Sequence, residues 1–146
     1  MTRISFHTDA QGALTELTLR GHANFAESGK DILCAGISTL TNFLLRTLYT
    51  YRPGAYSLQM DPETADLVIC FDPPVQVGPL QVDPVSVDTV SGEATTDRGK
   101  QEPANFPIGA FLDLWEGEVR AMASEYPDFM SVEPKEDPDS SDQEEK

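Results

Sequence analysis

DILCAGISTLTNFLLRTLY, residues 31–49, is where the period of the chain changes from two to between three and four. Leu33, Ile37, Leu40, Leu44 and Leu48 recur at the spacing that lines one face of a helix, which predicts an amphipathic helix running to about Tyr49, with Pro53 and Gly54 ending it. Upstream, Ile4 and Phe6 alternate with polar neighbours, Asp9-Ala10-Gln11-Gly12 supplies turn chemistry, and Leu17 and Leu19 resume the alternation up to Arg20. That is a β-hairpin. Downstream, Tyr56, Leu58 and Met60 alternate, Asp61-Pro62-Glu63 turns the chain, and Leu67, Ile69 and Phe71 alternate until Pro73-Pro74, which predicts a second hairpin ending there. Ile108, Phe111, Trp115, Val119, Met122 and Tyr126 share a face of a second helix that Pro107 starts and Pro127 stops. The order is ββαββα and the class α+β, an antiparallel sheet packed by two main helices.

Between the second hairpin and the last helix, residues 73–105 read as an extended insertion, because prolines interrupt its valine pairs. Residues 91–105 carry almost no large apolar side chain and are expected to stay unordered. With 146 residues, 39% of them hydrophobic, the chain is sized for one domain, over residues 1–132. The last fourteen residues, Glu133 to Lys146, hold seven acids and two lysines and read as an acidic disordered tail. The net charge of −15 disfavours a grip on nucleic acid phosphates and suits a basic partner. The longest apolar run, Leu67 to Phe71, is far short of a membrane span, and the polar start Met1-Thr2-Arg3 lacks a secretory leader's apolar stretch, so a cytoplasmic protein is expected. Two cysteines, Cys34 and Cys70, and two histidines make neither a disulfide framework nor a thiol or histidine metal site.

The chemistry concentrates in the loop from Gly21 to Cys34, where His22 and Cys34 flank a glycine-bearing segment. A thiol near its free pKa of about 8.5 is only a few per cent ionised at neutral pH, and it becomes a nucleophile when a base or a positive potential assists it. If Asp31 caps the helix, Cys34 is its third residue, inside the first turn, whose amides make the potential positive and are placed to hold an oxyanion. Ser28 and Asp31 also form a capping-box pattern, which would start the helix earlier and push Cys34 into the second turn. Asp31 is itself an anion near the thiol, so its useful part is to cap the helix or orient the loop. A cysteine with a histidine twelve positions before it also fits a buried helix-face cysteine beside a surface histidine.

The string as a whole narrows this choice. Gly21-His22-Ala23, the spacer with Gly29, and Asp31-Ile32-Leu33-Cys34-Ala35 with Ser38 and Leu40 closely resemble the signature of the ribosomal-processing cysteine protease family Prp. The resemblance extends to the ββαββα order and to Glu125-Tyr126-Pro127-Asp128-Phe129 after the last helix, covering roughly residues 1–72 and 106–132. It implies a small cytoplasmic homodimer that removes a short N-terminal extension from large-subunit ribosomal protein twenty-seven, with Cys34 as nucleophile, His22 as base, no metal and no organic cofactor. It further implies that Gly21, Asp31 and Ser38 shape the site or bind substrate. Leu33, Gly36 and Asn24-Phe25 depart from the residues common in the family, and none of these departures removes a reacting group. The insertion and the acidic tail are the larger departures.

Rival readings are a non-catalytic module that docks ribosomal or other basic proteins, and a thiol redox regulator, which the distance in sequence from Cys34 to Cys70 disfavours. Cys70 is expected as a packed strand residue, His7 on the surface, and Trp115 and Phe111 as core or dimer contacts.

Overall fold

The alternation that marks the first hairpin sends Ile4 and Phe6 of β1 (Thr2–Thr8) and Leu17 and Leu19 of β2 (Leu14–Arg20) to one buried face, while Arg3, Ser5 and His7 turn to the other. The turn forms as the sequence predicts: the Asp9 carboxylate accepts the Gln11 and Ala13 amides, at 3.0 and 2.8 Å, and Gly12 takes a positive φ. The computed structural model describes residues 1–23, 26–27, 30–80 and 106–135. The remaining elements are α1 (Ile32–Tyr51), β3 (Tyr56–Met60), β4 (Leu67–Val75), α2 (Ile108–Glu125) and β5 (Met130–Val132).

The fold is α+β, a five-stranded sheet in the order β3-β4-β2-β1-β5 with both helices contributing to the core. Strands β1 to β4 pair antiparallel, as the two hairpins require. β5 adds a short parallel edge beside β1, with Thr2 opposite Met130 and Ile4 opposite Val132. Three residues carry no readable period, which is why the alternation of the chain does not announce this strand.

β4 also runs further than the sequence predicts. Pro73 and Pro74 do not end it: the ladder to β2 shifts register across Leu14 and Glu16, the prolines occupy this irregularity, and Val75 pairs again with Leu14. A residue without an N–H is tolerated where the ladder is already broken. The strand therefore ends at Val75 rather than before Pro73. Residues 81–105, including the stretch expected to be unordered, and residues 136–146 of the tail lie outside the described residues.

The helices close the core. Leu33, Ile37, Leu44 and Leu48 of α1 and Leu112, Trp115 and Val119 of α2 bury against Ile4, Phe6, Leu17 and Ile69. Trp115 meets Phe6 edge-on at 6.3 Å, and its indole N–H donates to the Leu40 carbonyl at 3.0 Å, so the large buried ring keeps its polar end paired. By length and composition α1 matches a membrane span, yet it carries Asn42 and Arg46 and presses its leucines onto the sheet, as the core helix of a folded domain does.

Glu116 is the exception on the buried face of α2. Its carboxylate, 8% exposed as a residue, lies 2.9 Å from Arg120 Nε and 2.9 Å from Lys135 Nζ. Glu133 bonds through its amide to the Ile4 carbonyl and through its carboxylate to the Ser5 hydroxyl, at 2.9 and 2.6 Å. The attached chain thus continues three residues past Val132, into what reads by composition as tail.

Candidate active site

α1 begins at Ile32, not earlier. Asp31 has an extended backbone, φ −79° and ψ 91°, and its carboxylate accepts the Cys34 amide at 2.8 Å, so it is the N-cap and the earlier start from Ser28 is not taken. Cys34 is consequently the third helical residue, half-buried in the first turn, where the helix end contributes positive potential. The same bond commits the Cys34 amide to the cap, so that amide is not a spare oxyanion donor.

His22 is placed by a different device. β2 ends at Arg20, and Gly21 turns the chain with φ +78° so closely under Met1 that a Cβ at this position would stand 2.5 Å from the Met1 carbonyl oxygen. Only glycine meets both demands without strain. The Gly21 amide donates to Asp66 Oδ1 at 2.9 Å, and Ala23 is buried in the core at 1% exposure. Exposed His22 is held between these two anchors. Of the loop from Ala23 to Lys30, residues 24, 25, 28 and 29 lie outside the described residues.

Gly21, His22, Cys34 and Ser38 open onto one cavity of about 250 Å³. Ile37, Thr41 and Leu45 of α1 continue its wall, Thr2 and Leu19 contribute from the first hairpin, and Met60, Ala65 and Leu67 from the second. Apolar side chains with a few converging polar groups are the usual make-up of a site that takes a small ligand or a side chain. Asp31 does not line the cavity and works as the cap behind Cys34. Thr2, Ala65 and Asp66 carry no chemical signature in the sequence. Their part arises from the sheet order, which brings the start of β1, the end of β2 and the start of β4 to the same corner.

The other reactive side chains lie elsewhere. Cys70 is half-buried on the opposite face of the sheet, its Sγ 3.7 Å from Glu16 Oε2, and His7 approaches the second Glu16 oxygen at 3.9 Å. Both cysteines are free thiols. Trp115 is core, and Phe111 packs at the margin against Phe43 and Phe106, with ring centroids 5.5 and 6.1 Å apart. Among the described residues no cluster of three or more His, Cys, Asp or Glu is arranged to hold a metal ion.

The family model of the cysteine protease Prp matches residues 1–131. The chain belongs to the Prp family. Solved structures agree in fold. The ribosomal processing protease Prp from S. aureus, in complex with a covalently linked product peptide, superposes with a TM-score of 0.62 at 16% identity, over 90% of this chain and 97% of that one. The same S. aureus protease with a substrate peptide gives 0.59 at 16%, over 91% and 98%. SMU.848 from Streptococcus mutans gives 0.60 at 20%, over 92% and 97%. No curated protein matches the sequence. The Prp match spans the segment that carries His22 and Cys34 and the helix α1 that walls the cavity. Membership makes the chain a cysteine protease by family.

Proposed function

We propose that the chain is a cysteine endopeptidase working with a Cys34–His22 pair, and that it removes an N-terminal extension from the precursor of large-subunit ribosomal protein twenty-seven. The observation that carries this reading is the shared cavity: Cys34 in the first turn of α1 and His22, between the anchored Gly21 and Ala23, line the same space. His22 takes the thiol proton as sulfur attacks the scissile carbonyl carbon. The carbon–nitrogen bond then breaks, the His22 proton goes to the departing amine, and the acyl group remains on sulfur. Water, deprotonated by His22, adds to the thioester, and the carboxylate product leaves as the thiol is restored. No metal or organic cofactor enters any step. Gly21 and Asp31 serve by shaping, the one turning the chain into His22 and the other setting the register of Cys34; Ser38, one turn beyond Cys34, faces the substrate.

Family and charge support this substrate. S. aureus Prp has been captured with substrate and product peptides, and a chain of net charge −15 attracts a basic ribosomal protein. Assembly as a homodimer fits the exposed Ile32, Phe43 and Leu114, large apolar side chains that a second copy would cover. A cytoplasmic location fits a ribosomal substrate.

The test is mass spectrometry of the extended precursor after incubation with wild type, Cys34→Ala, His22→Ala and Cys70→Ser. Wild type and Cys70→Ser are expected to trim the extension, and the other two to lose activity on the order of a thousandfold or more, since the pair acts as a unit. Equal trimming by wild type and Cys34→Ala eliminates the mechanism. Tight binding of the precursor with no trimming by wild type favours the docking module instead.

A further inference from the structure

We infer that Asp66 is a positioning residue for the catalytic pair: its carboxylate, by accepting the Gly21 amide, sets where His22 stands over Cys34. The inference rests on the Cys34–His22 reading. Asp66 and Gly21 are 45 residues apart in sequence, and the bond between them is 2.9 Å long. It joins the end of β2 to the turn between β3 and β4, just past the last rung of the β2–β4 ladder at Leu19 and Leu67. Beyond that last rung this ladder no longer constrains the chain, and His22 comes three residues after Leu19.

The Asp66 side of the bond is itself well fixed. The Asp66 carbonyl accepts the Asp61 amide at 2.9 Å, and the neighbouring Ala65 holds a positive φ of 59°, rare for a residue with a side chain, while lining the cavity. The turn is therefore a rigid bracket with a half-buried acceptor at its end. Gly21, on the other side, is the most permissive residue for backbone motion, so removing the acceptor releases the chain just before the imidazole. A histidine displaced by about 1 Å loses much of its value as a base, since proton transfer needs heavy-atom separations of about 2.6–3.2 Å.

The role is one of geometry, not charge, and two substitutions separate them. Asp66→Asn keeps an acceptor oxygen at the same place without the charge; Asp66→Glu keeps the charge and moves the oxygen by one methylene. The experiment follows iodoacetamide alkylation of Cys34 in the full chain from weakly acidic to weakly alkaline pH. Peptide mass mapping reads Cys70, on the far face of the sheet, as an internal control. His22→Ala defines the part of the Cys34 rate that depends on the imidazole. Asp66→Ala and Asp66→Glu are expected to lower that part by about tenfold, Asp66→Asn to stay within about twofold of wild type, and the Cys70 rate to stay constant throughout. Should Asp66→Ala fail to fold, the Asn and Glu variants still decide. A Cys34 profile that His22→Ala changes but neither Asp66→Ala nor Asp66→Glu does overturns the positioning role alone, as does a loss in Asn equal to that in Glu. A wild-type profile that His22→Ala leaves unchanged overturns the catalytic pair itself.

Discussion

Asp31 and Cys34 are joined by a hydrogen bond of 2.8 Å from the cysteine amide to the aspartate carboxylate. The group that starts α1 thereby also decides that the thiol sits in its first turn, at the wall of the cavity, rather than one turn further along. Stability and site geometry are coupled through one side chain.

The first prediction tests that coupling. Asp31→Ala should cost about 0.5–2 kcal/mol in urea unfolding, the usual worth of an N-cap, and Asp31→Asn, which keeps an acceptor, much less. Cleavage should fall in Asp31→Ala beyond what its unfolded fraction explains. A change in midpoint with activity intact would confine Asp31 to the fold.

A second prediction concerns Gly21. Its positive φ and the nearness of the Met1 carbonyl make Gly21→Ala unfavourable twice over, by roughly 1–3 kcal/mol from backbone strain alone. The measurement is the urea midpoint beside that of Gly12→Ala. Gly12 shares the positive φ but has open space around it, so it should suffer less.

Acid should act on the turn that carries Asp66. The Glu63 and Thr64 amides donate to the Asp61 carboxylate, at 2.8 and 3.3 Å, and hold its pKa below the ordinary carboxylate value. A carboxyl lowered in the folded state adds stability above its unfolded pKa of about 3.9 and loses it as pH falls through the folded value. The turn should thus keep its structure on mild acidification and loosen only in stronger acid. An NMR titration that puts the Asp61 midpoint at or above about 3.9 would contradict this.

The C-terminal attachment can be read by truncation. A chain ended after Val132 lacks the Glu133 bonds to Ile4 and Ser5 and the Lys135 pairing with Glu116, all of which a chain ended after Lys135 retains. The shorter one should be less stable by roughly 1–3 kcal/mol, because Glu116 then keeps only Arg120. Equal melting of the two would show that these contacts contribute nothing net.

How much of this was legible in the sequence depends on the kind of signal. Leu33, Ile37, Leu44 and Leu48 announce α1 because burial repeats with the helix period, and Ile4, Phe6, Leu67 and Ile69 announce strands by alternation. His22 and Cys34 are legible because they sit in a recognisable local string. β5 is too short to show a period, and the passage of β4 through Pro73 and Pro74 depends on a ladder irregularity that belongs to two strands at once. Asp66 is illegible for the same reason: its partner is a backbone amide brought to it by strand order, and no local pattern records such a meeting.

The Met1 carbonyl lies against Gly21, and Thr2 lines the cavity. An affinity tag or reporter fused ahead of Met1 would consequently emerge at the mouth of the site, crowding incoming peptides and loading the turn that carries His22. Lys135, near the other end, pairs with Glu116 on α2, and neither residue lines the cavity. Handles for purification, immobilisation or dyes therefore belong at the carboxyl end, and assays on amino-terminally tagged protein risk mistaking a blocked entrance for an inactive enzyme.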